Sequence, residues 1–217
     1  MSLNLLVFLG SARASTPPHP ARLGLRVARA CVAQLQEAGH TVTLIDPLDV
    51  PLDPVFTPHF AFAADKAPAP LQVLAQQIAA ADGYVMVSPE YNHSMSPALS
   101  NLLNHFASSL FAFKPSAIVT YSAGQWGGAR AAMGMRAYLS ELGCLPVSAI
   151  AHLAKAQEVF TEEGGYAEGV DAQAWQGFLG RCFSQLDWWG QAARTQRAAA
   201  PSPTPAFRRT PAQRNAP

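Results

Sequence analysis

The chain has 217 residues, 49% of them hydrophobic, with a formal net charge of +1. That length is enough for one domain with a proper core, and the composition argues against a disordered chain. The near-neutral charge excludes a global field for nucleic acid, and no apolar run approaches the ~20 residues that span a bilayer, so no integral membrane segment is expected. The N-terminus passes straight into Leu5-Leu6-Val7-Phe8-Leu9, with no basic segment ahead of a separate apolar stretch. No cleaved signal is expected, and the protein reads as cytoplasmic. Asn4 to Gly10 reads as a first strand, apolar almost throughout, as in a strand covered on both faces. Gly10 to Ser15 is a small polar turn, and the prolines of Thr16–Pro20 exclude helix interior. Leu23, Val27, Ala30, Cys31, Leu35 and Ala38 recur at helical spacing, marking a helix from near Ala21 that Gly39 ends.

Thr41 to Asp46 is the second strand. Pro47 to Pro70 is rich in Pro and Phe, has little periodicity, and reads as a long surface loop with aromatic anchors. Leu71 to Ala81 is a helix, and Gly83 to Ser88 the third strand. A short polar loop, Pro89-Glu90-Tyr91-Asn92-His93-Ser94-Met95-Ser96, leads to a helix over Ala98–Phe106. Ser116 to Tyr121 is the fourth strand. Ser122-Ala-Gly-Gln-Trp-Gly-Gly128 follows, then a helix over Ala129–Leu142 and a fifth strand from Pro146. Ala154 to Val170 reads as polar loop, and Ala172 to Trp189 as a helix with Trp175, Phe178, Leu179, Cys182, Phe183 and Leu186 on one side. The stretch from Arg194 to Pro217 is Ala/Pro-rich, with five arginines and no acid, and is expected to be disordered. The chain thus divides into a folded domain over 1–193 and a tail over 194–217. Cys31, Cys144 and Cys182 show no Cys-x-x-Cys or Cys/His metal spacing, so no metal site is expected, and Cys31 reads as buried and inert. Strands alternating with helices argue for an α/β fold, a doubly wound parallel sheet of five strands with helices on both faces.

The chemistry-bearing residues fall in loops that follow strands, where open parallel sheets bind ligands. Ser11, Arg13 and Ser15 sit in the first, ahead of a helix N-terminus that favours an anion, and Arg13 suits phosphate oxygens. Neither Gly-x-Gly-x-x-Gly nor a Gly-Lys-Ser/Thr P-loop is present. In the third loop, Gly124, Gly127 and Gly128 permit close backbone approach and positive φ.

Ser88-Pro-Glu-Tyr-Asn-His-Ser94, with Pro97, Leu99 and Asn101 after it, resembles the signature loop of the NADPH-dependent FMN reductase family, in the flavodoxin-like superfamily. Gly10-Ser-x-Arg13 resembles the family's phosphate loop, and Gly127-Gly128-x-Arg130 its Gly-Gly-x-Arg element. Pro97-Ala98 stands where the family usually has Pro-Gly, and the family's Ser-x-Asn pair gives way here to prolines and Arg22-Leu23-Gly24. The resemblance covers roughly Leu5 to Ala151 and implies a flavodoxin-like strand order 2-1-3-4-5, with the crevice beside the first and third strands. It implies FMN, held by Ser11, Arg13, Ser15, Arg22, Pro89, Glu90, Tyr91, Asn92, Ser94, Ser122, Gly124, Gln125, Trp126 and Gly127. It further implies NADPH (or NADH) as hydride donor and a small-molecule electron acceptor, a flavin or a quinone, with azo compounds and metal oxyanions as alternatives. No side chain is assigned as catalytic, since the flavin carries the chemistry. A flavodoxin-like electron carrier is the rival reading, disfavoured by Gly-Ser-Ala-Arg and the near-neutral charge. Family members commonly assemble, so a homodimer or homotetramer is expected, with the contact near the Pro47–Pro70 loop or Phe111.

Overall fold

The computed structural model describes residues 1–14, 22–63 and 66–200. Its strands are β1 (Asn4–Leu9), β2 (Thr41–Ile45), β3 (Gly83–Tyr91), β4 (Ser94–Met95), β5 (Pro115–Tyr121) and β6 (Leu145–Leu153). Its helices are α1 (Leu23–Glu37), α2 (Ala69–Ala80), α3 (Pro97–Asn104), α4 (Ser108–Phe111), α5 (Ala129–Glu141), α6 (Ala156–Val159) and α7 (Ala172–Ala199). The main sheet is parallel, in the order β2-β1-β3-β5-β6, and β4 folds back antiparallel on β3. Setting β4 aside, this is the five-stranded flavodoxin-like order.

The sheet is covered on both faces, and the two-residue period of a strand sorts the side chains between them. Leu5, Val7 and Leu9 of β1 meet Val27, Cys31 and Leu35 of α1 and Leu179, Cys182 and Leu186 of α7. Leu6 and Phe8 meet Leu74 and Ile78 of α2, Leu102 and Leu103 of α3, and Met135 and Leu139 of α5. This double burial is why β1 and β3 read as near-continuous apolar runs. All three cysteines are buried and free, and burial raises each thiol pKa.

Several elements differ from the sequence reading. The third strand does not stop at Ser88: it runs to Tyr91, turns at Asn92-His93 and returns as β4. The Pro47–Pro70 stretch holds two short 3-10 turns, Pro47–Asp49 and His59–Ala61, and α2 begins two residues earlier than expected. Its Phe56 ring packs on His105 at 4.7 Å. The segment after β6 is not all loop, since α6 lies within it. Phe111 is fully buried against Tyr84, so it belongs to the core rather than to a surface contact; Phe113 is 45% exposed. The last helix, α7, continues to Ala199, past residue 194, because Ala, Gln and Arg are strong helix formers. Arg194 and Arg197 then reach Asp82, at 3.7 and 2.9 Å. The rest of the expected tail, 201–217, lies outside the described residues.

Candidate functional site

The carboxyl ends of β1, β3 and β5 converge on a cleft of ≈ 220 Å³ lined by Ser11, Arg13, Arg22 and Gly24, by Pro89, Glu90 and Tyr91, and by Tyr121, Ser122 and Ala123. This is the strand-order reversal at which open α/β sheets take ligands.

The loop after β1 is pressed against β3. The Gly10 N–H donates to the Val87 carbonyl at 2.6 Å, and a Cβ on Gly10 would stand 2.5 Å from that same oxygen. Ser96 ties the two loops together. Its hydroxyl donates to the Gly10 carbonyl and accepts from the Leu99 N–H at 3.1 Å, capping α3. Ser88 Oγ in turn accepts from the Ser96 N–H at 3.0 Å. Both serines are buried. Neither belonged to the expected site set; a serine followed by proline at a helix start was the available signal.

Ser11 Oγ accepts from the Arg13 N–H at 3.3 Å and lines the cleft with the buried Tyr121, whose pKa burial raises. Tyr121 was not anticipated as a site residue. Gly24 makes room for it, since any side chain there would meet the Tyr121 hydroxyl. The Arg13 side chain is exposed and has no partner among the described residues. Arg22 differs: it sits at the α1 N-cap with φ 54°, donates to the Ser11 carbonyl at 3.3 Å and pairs with Asp46 at the end of β2. Ser15 lies outside the described residues.

The β3–β4 hairpin turns on Asn92 and His93, both in the left-handed region at φ 49° and 64°. Two such residues define the primed turn whose twist matches a hairpin, and Asn tolerates that conformation well. Asn92 therefore works through its backbone; among the described residues no side-chain bond fixes it. Glu90 is occupied structurally. Its carboxylate pairs with Arg130 at 2.6 Å and accepts from the N–H groups of Arg130 and Ala131, at 3.1 and 3.4 Å, at the start of α5. A carboxylate is favoured at that helix end.

Ser122 closes the third loop, donating to the Gly124 carbonyl at 2.8 Å and accepting from the Gly127 N–H at 2.9 Å. Gly127 and Gly128 have positive φ, whereas Gly124 does not. Trp126 is 66% exposed, with the Arg130 guanidinium 6.0 Å from its ring centre. Of the expected residues, Ser11, Arg13, Arg22, Pro89, Glu90, Tyr91 and Ser122 line the cleft; Asn92, Ser94, Gly124, Gln125, Trp126 and Gly127 lie in the adjoining hairpin and loop and do not line it.

The one carboxylate that lines the cleft, Glu90, is matched by Arg130, and the lining Arg22 is matched by Asp46 behind it, which leaves Arg13, among the described residues, as surplus positive charge beside the Ser11 and Tyr121 hydroxyls. A site with one cationic end, two loop walls and no uncompensated acid fits a ligand that carries a single phosphate and a flat body.

Fold and site together define a flavodoxin-like α/β protein of the kind that holds a phosphorylated cofactor at its first strand-order reversal. Residues 3–158 match the model of NADPH-dependent FMN reductase, and the chain belongs to that family of oxidoreductases, whose cofactors are FMN and NAD(P)H. It is 32% identical over 144 residues to an NAD(P)H-dependent FMN reductase of Pseudomonas aeruginosa, covering 61% of this chain and 74% of that one. It is 43% identical over 75 residues to a quinone reductase of Escherichia coli K12, a match that spans 33% of this chain and only 40% of that protein. The fold is shared with the flavoenzyme NAD(P)H:(acceptor) oxidoreductase FerB from Paracoccus denitrificans, at TM-score 0.64 and 20% identity over 86% of this chain and 98% of that one.

Proposed function

We propose that the cleft binds FMN and that the protein passes reducing equivalents from NADPH, or NADH, to a small acceptor, a flavin or a quinone. The observation that carries this reading is Arg13, a cation without a partner among the described residues, lining the cleft with the Ser11 and Tyr121 hydroxyls while the cleft's carboxylate, Glu90, is matched by Arg130. Ser11 and Arg13 would hold the phosphate, and Arg22 would support them through the Ser11 carbonyl. The hairpin from Pro89 to Ser94 and the Ser122–Gly127 loop would flank the ring. Bound FMN supplies the two-electron chemistry that accepts hydride and returns it.

The chain's own residues position and exclude. Ser96 fixes the first loop relative to the hairpin, and Glu90 fixes the hairpin to α5. Glu90 is held by Arg130 and two amides, so it orients the wall rather than exchanging protons. Tyr91, 42% exposed, stands on the open side, where donor and acceptor would alternate. Quinone as acceptor draws support from the quinone reductase relative.

The reading places the protein in the cytoplasm, in keeping with three free, buried thiols. Among the described residues no helix is long and apolar enough to cross a membrane. The reading also includes a homodimer or homotetramer, with the groove lined by Phe60, Phe106, Tyr138 and Leu142 at the contact. Light scattering at micromolar concentration tests assembly, and a monomer would remove that part.

Anaerobic mixing with NADPH tests the central claim. Rapid bleaching of the bound flavin is expected; an unreactive flavin would favour an electron carrier. Chromatography of the acid-released cofactor should show FMN, and stoichiometric FAD would overturn the assignment.

A further inference from the structure

The wall formed by residues 122–125 is braced from behind by the segment that follows β6. The Ala156 N–H donates to the Ser122 carbonyl at 3.1 Å, and the Lys155 N–H to the Gly124 carbonyl at 2.9 Å. Between them, Gln157 Nε2 donates to the Ala123 carbonyl at 3.0 Å. Three successive carbonyls are thus held by residues 155–157. In a trans peptide the N–H points opposite to the C=O of the same unit. The N–H groups of Ala123, Gly124 and Gln125 are therefore turned away from that segment. None of the three has a partner among the described residues. Ser122 and Ala123 line the cleft, and nothing stands within 4 Å of where a Gly124 side chain would begin. Successive amides with a common direction form a concavity that attracts electron-rich oxygen.

Two of the three braces are backbone bonds that any residue would make. The middle one depends on a side chain. Gln157 must present its NH₂ here, because the Ala123 carbonyl can only accept. That orientation leaves Gln157 Oε1 buried without a partner. A half-satisfied buried amide is an unfavourable arrangement on its own, so the bond it does make is the informative one.

We infer that Gln157 is a positioning residue: by holding the Ala123 carbonyl back, it aims the Gly124 N–H at a carbonyl-bearing ring edge in the cleft. This rests on the proposed flavin site, and the occupant is the polar edge of the flavin ring. Gln157 lies outside the cleft and touches no ligand. Its effect travels through one peptide plane. An N–H aimed at the ring's carbonyl edge interacts more strongly with reduced FMN, because the ring then carries more negative charge. The residue therefore favours the reduced state, which a brace serving the fold alone would not do.

The test is Gln157→Leu, similar in size and unable to donate. Affinities of FMN and riboflavin are measured by fluorescence quenching, and the midpoint potential of bound FMN gives the ratio of reduced to oxidised affinity. Oxidised FMN and riboflavin should both weaken about three- to tenfold, because the ring is common to them. Reduced FMN should weaken about ten- to a hundredfold, so the midpoint potential falls. Gln157→Glu, which keeps length but cannot donate when ionised, should shift the potential in the same direction. An unchanged potential, or equal losses for oxidised and reduced flavin, overturns the inference and leaves Gln157 a fold residue. Failure of both variants to fold does the same. A wild-type chain that binds neither flavin overturns the cofactor assignment itself, and this inference with it.

Discussion

The two edges of the sheet both gather charge, but they treat it differently. At the amino edge, Asp82 accepts from the Asn4 N–H at 3.0 Å and pairs with Arg194 and Arg197. Lys114 is buried there, its ammonium donating to the carbonyls of Ile78, Ala79 and Leu110 at 2.7, 2.7 and 3.0 Å. The Ile78 and Ala79 carbonyls end α2 and have no helical partner, so the lysine acts as its cap. At the carboxyl edge Asp46 and Glu90 are each matched by an arginine, yet among the described residues Arg13 and the amides of residues 123–125 have no partner. Volume does not mark the difference. The amino-edge cavity is the larger, at ≈ 530 Å³, but its His40 is committed to the Leu3 N–H and Asp187. Unmatched donors, rather than space, separate a ligand site from a structural one.

The comparison breaks if the amino edge proves to serve binding. Lys114→Met should lower stability by about 2–3 kcal/mol, the worth of hydrogen bonds from a charged donor, while FMN affinity of the folded protein stays within about threefold. Chemical denaturation and fluorescence titration read the two. The same lysine gives a pH signature. Burial lowers its pKa from 10.5 to about 8 in the folded protein. Between those values the unfolded chain binds more protons, so wild-type stability should rise with pH across that window. Lys114→Met should lack this rise in denaturation curves at pH 7.5 and 9.5.

Arg13→Ala tests the other edge. It should weaken FMN by about one to two powers of ten and leave riboflavin nearly unaffected, with stability within about 0.5 kcal/mol of wild type. Equal losses for both flavins would move Arg13 to the structural side. Glu90→Gln sharpens the contrast inside the cleft. It removes the ion pair to a half-exposed arginine, about 0.5–1 kcal/mol of stability, and keeps an acceptor for the α5 amides. Flavin reduction by NADPH in stopped flow should persist; a bound but unreduced flavin would make Glu90 an acid or base. The smallest effect belongs to His93→Gly. Relieving a left-handed histidine should raise stability slightly, by about 0.5 kcal/mol after the entropic cost of glycine, read as a small rise in the melting midpoint. A loss would show that the His93 side chain supports the hairpin.

What the sequence disclosed, and what it hid, follows the range of the interactions. The strands of the sheet core are long apolar runs, and the Gly10–Arg13 and Pro89–Ser94 loops carry local patterns. The β4 return was hidden because Tyr91-Asn92-His93-Ser94 lacks the glycine that usually announces a two-residue hairpin. The last turn of α7 was hidden because Arg194 and Arg197 look like a basic tail until Asp82, more than a hundred residues away in the chain, appears beneath them. Lys114 gave no signal beside Phe113 and Pro115. Tyr121 read as the last residue of a strand, since its role depends on a glycine in another element. Gln157 looked like loop, because what it holds is a backbone oxygen with no sequence identity at all.

The two ends of the described chain meet at the edge remote from the cleft. Gln191 bonds the Met1 carbonyl, and Arg194 donates to the Ser2 carbonyl at 2.6 Å. A tether attached ahead of Met1 would therefore leave the cleft facing away from whatever it anchors to. For work on an electrode or bead, the fold supplies an orientation in advance: grip the amino edge, and the redox face is presented to solution.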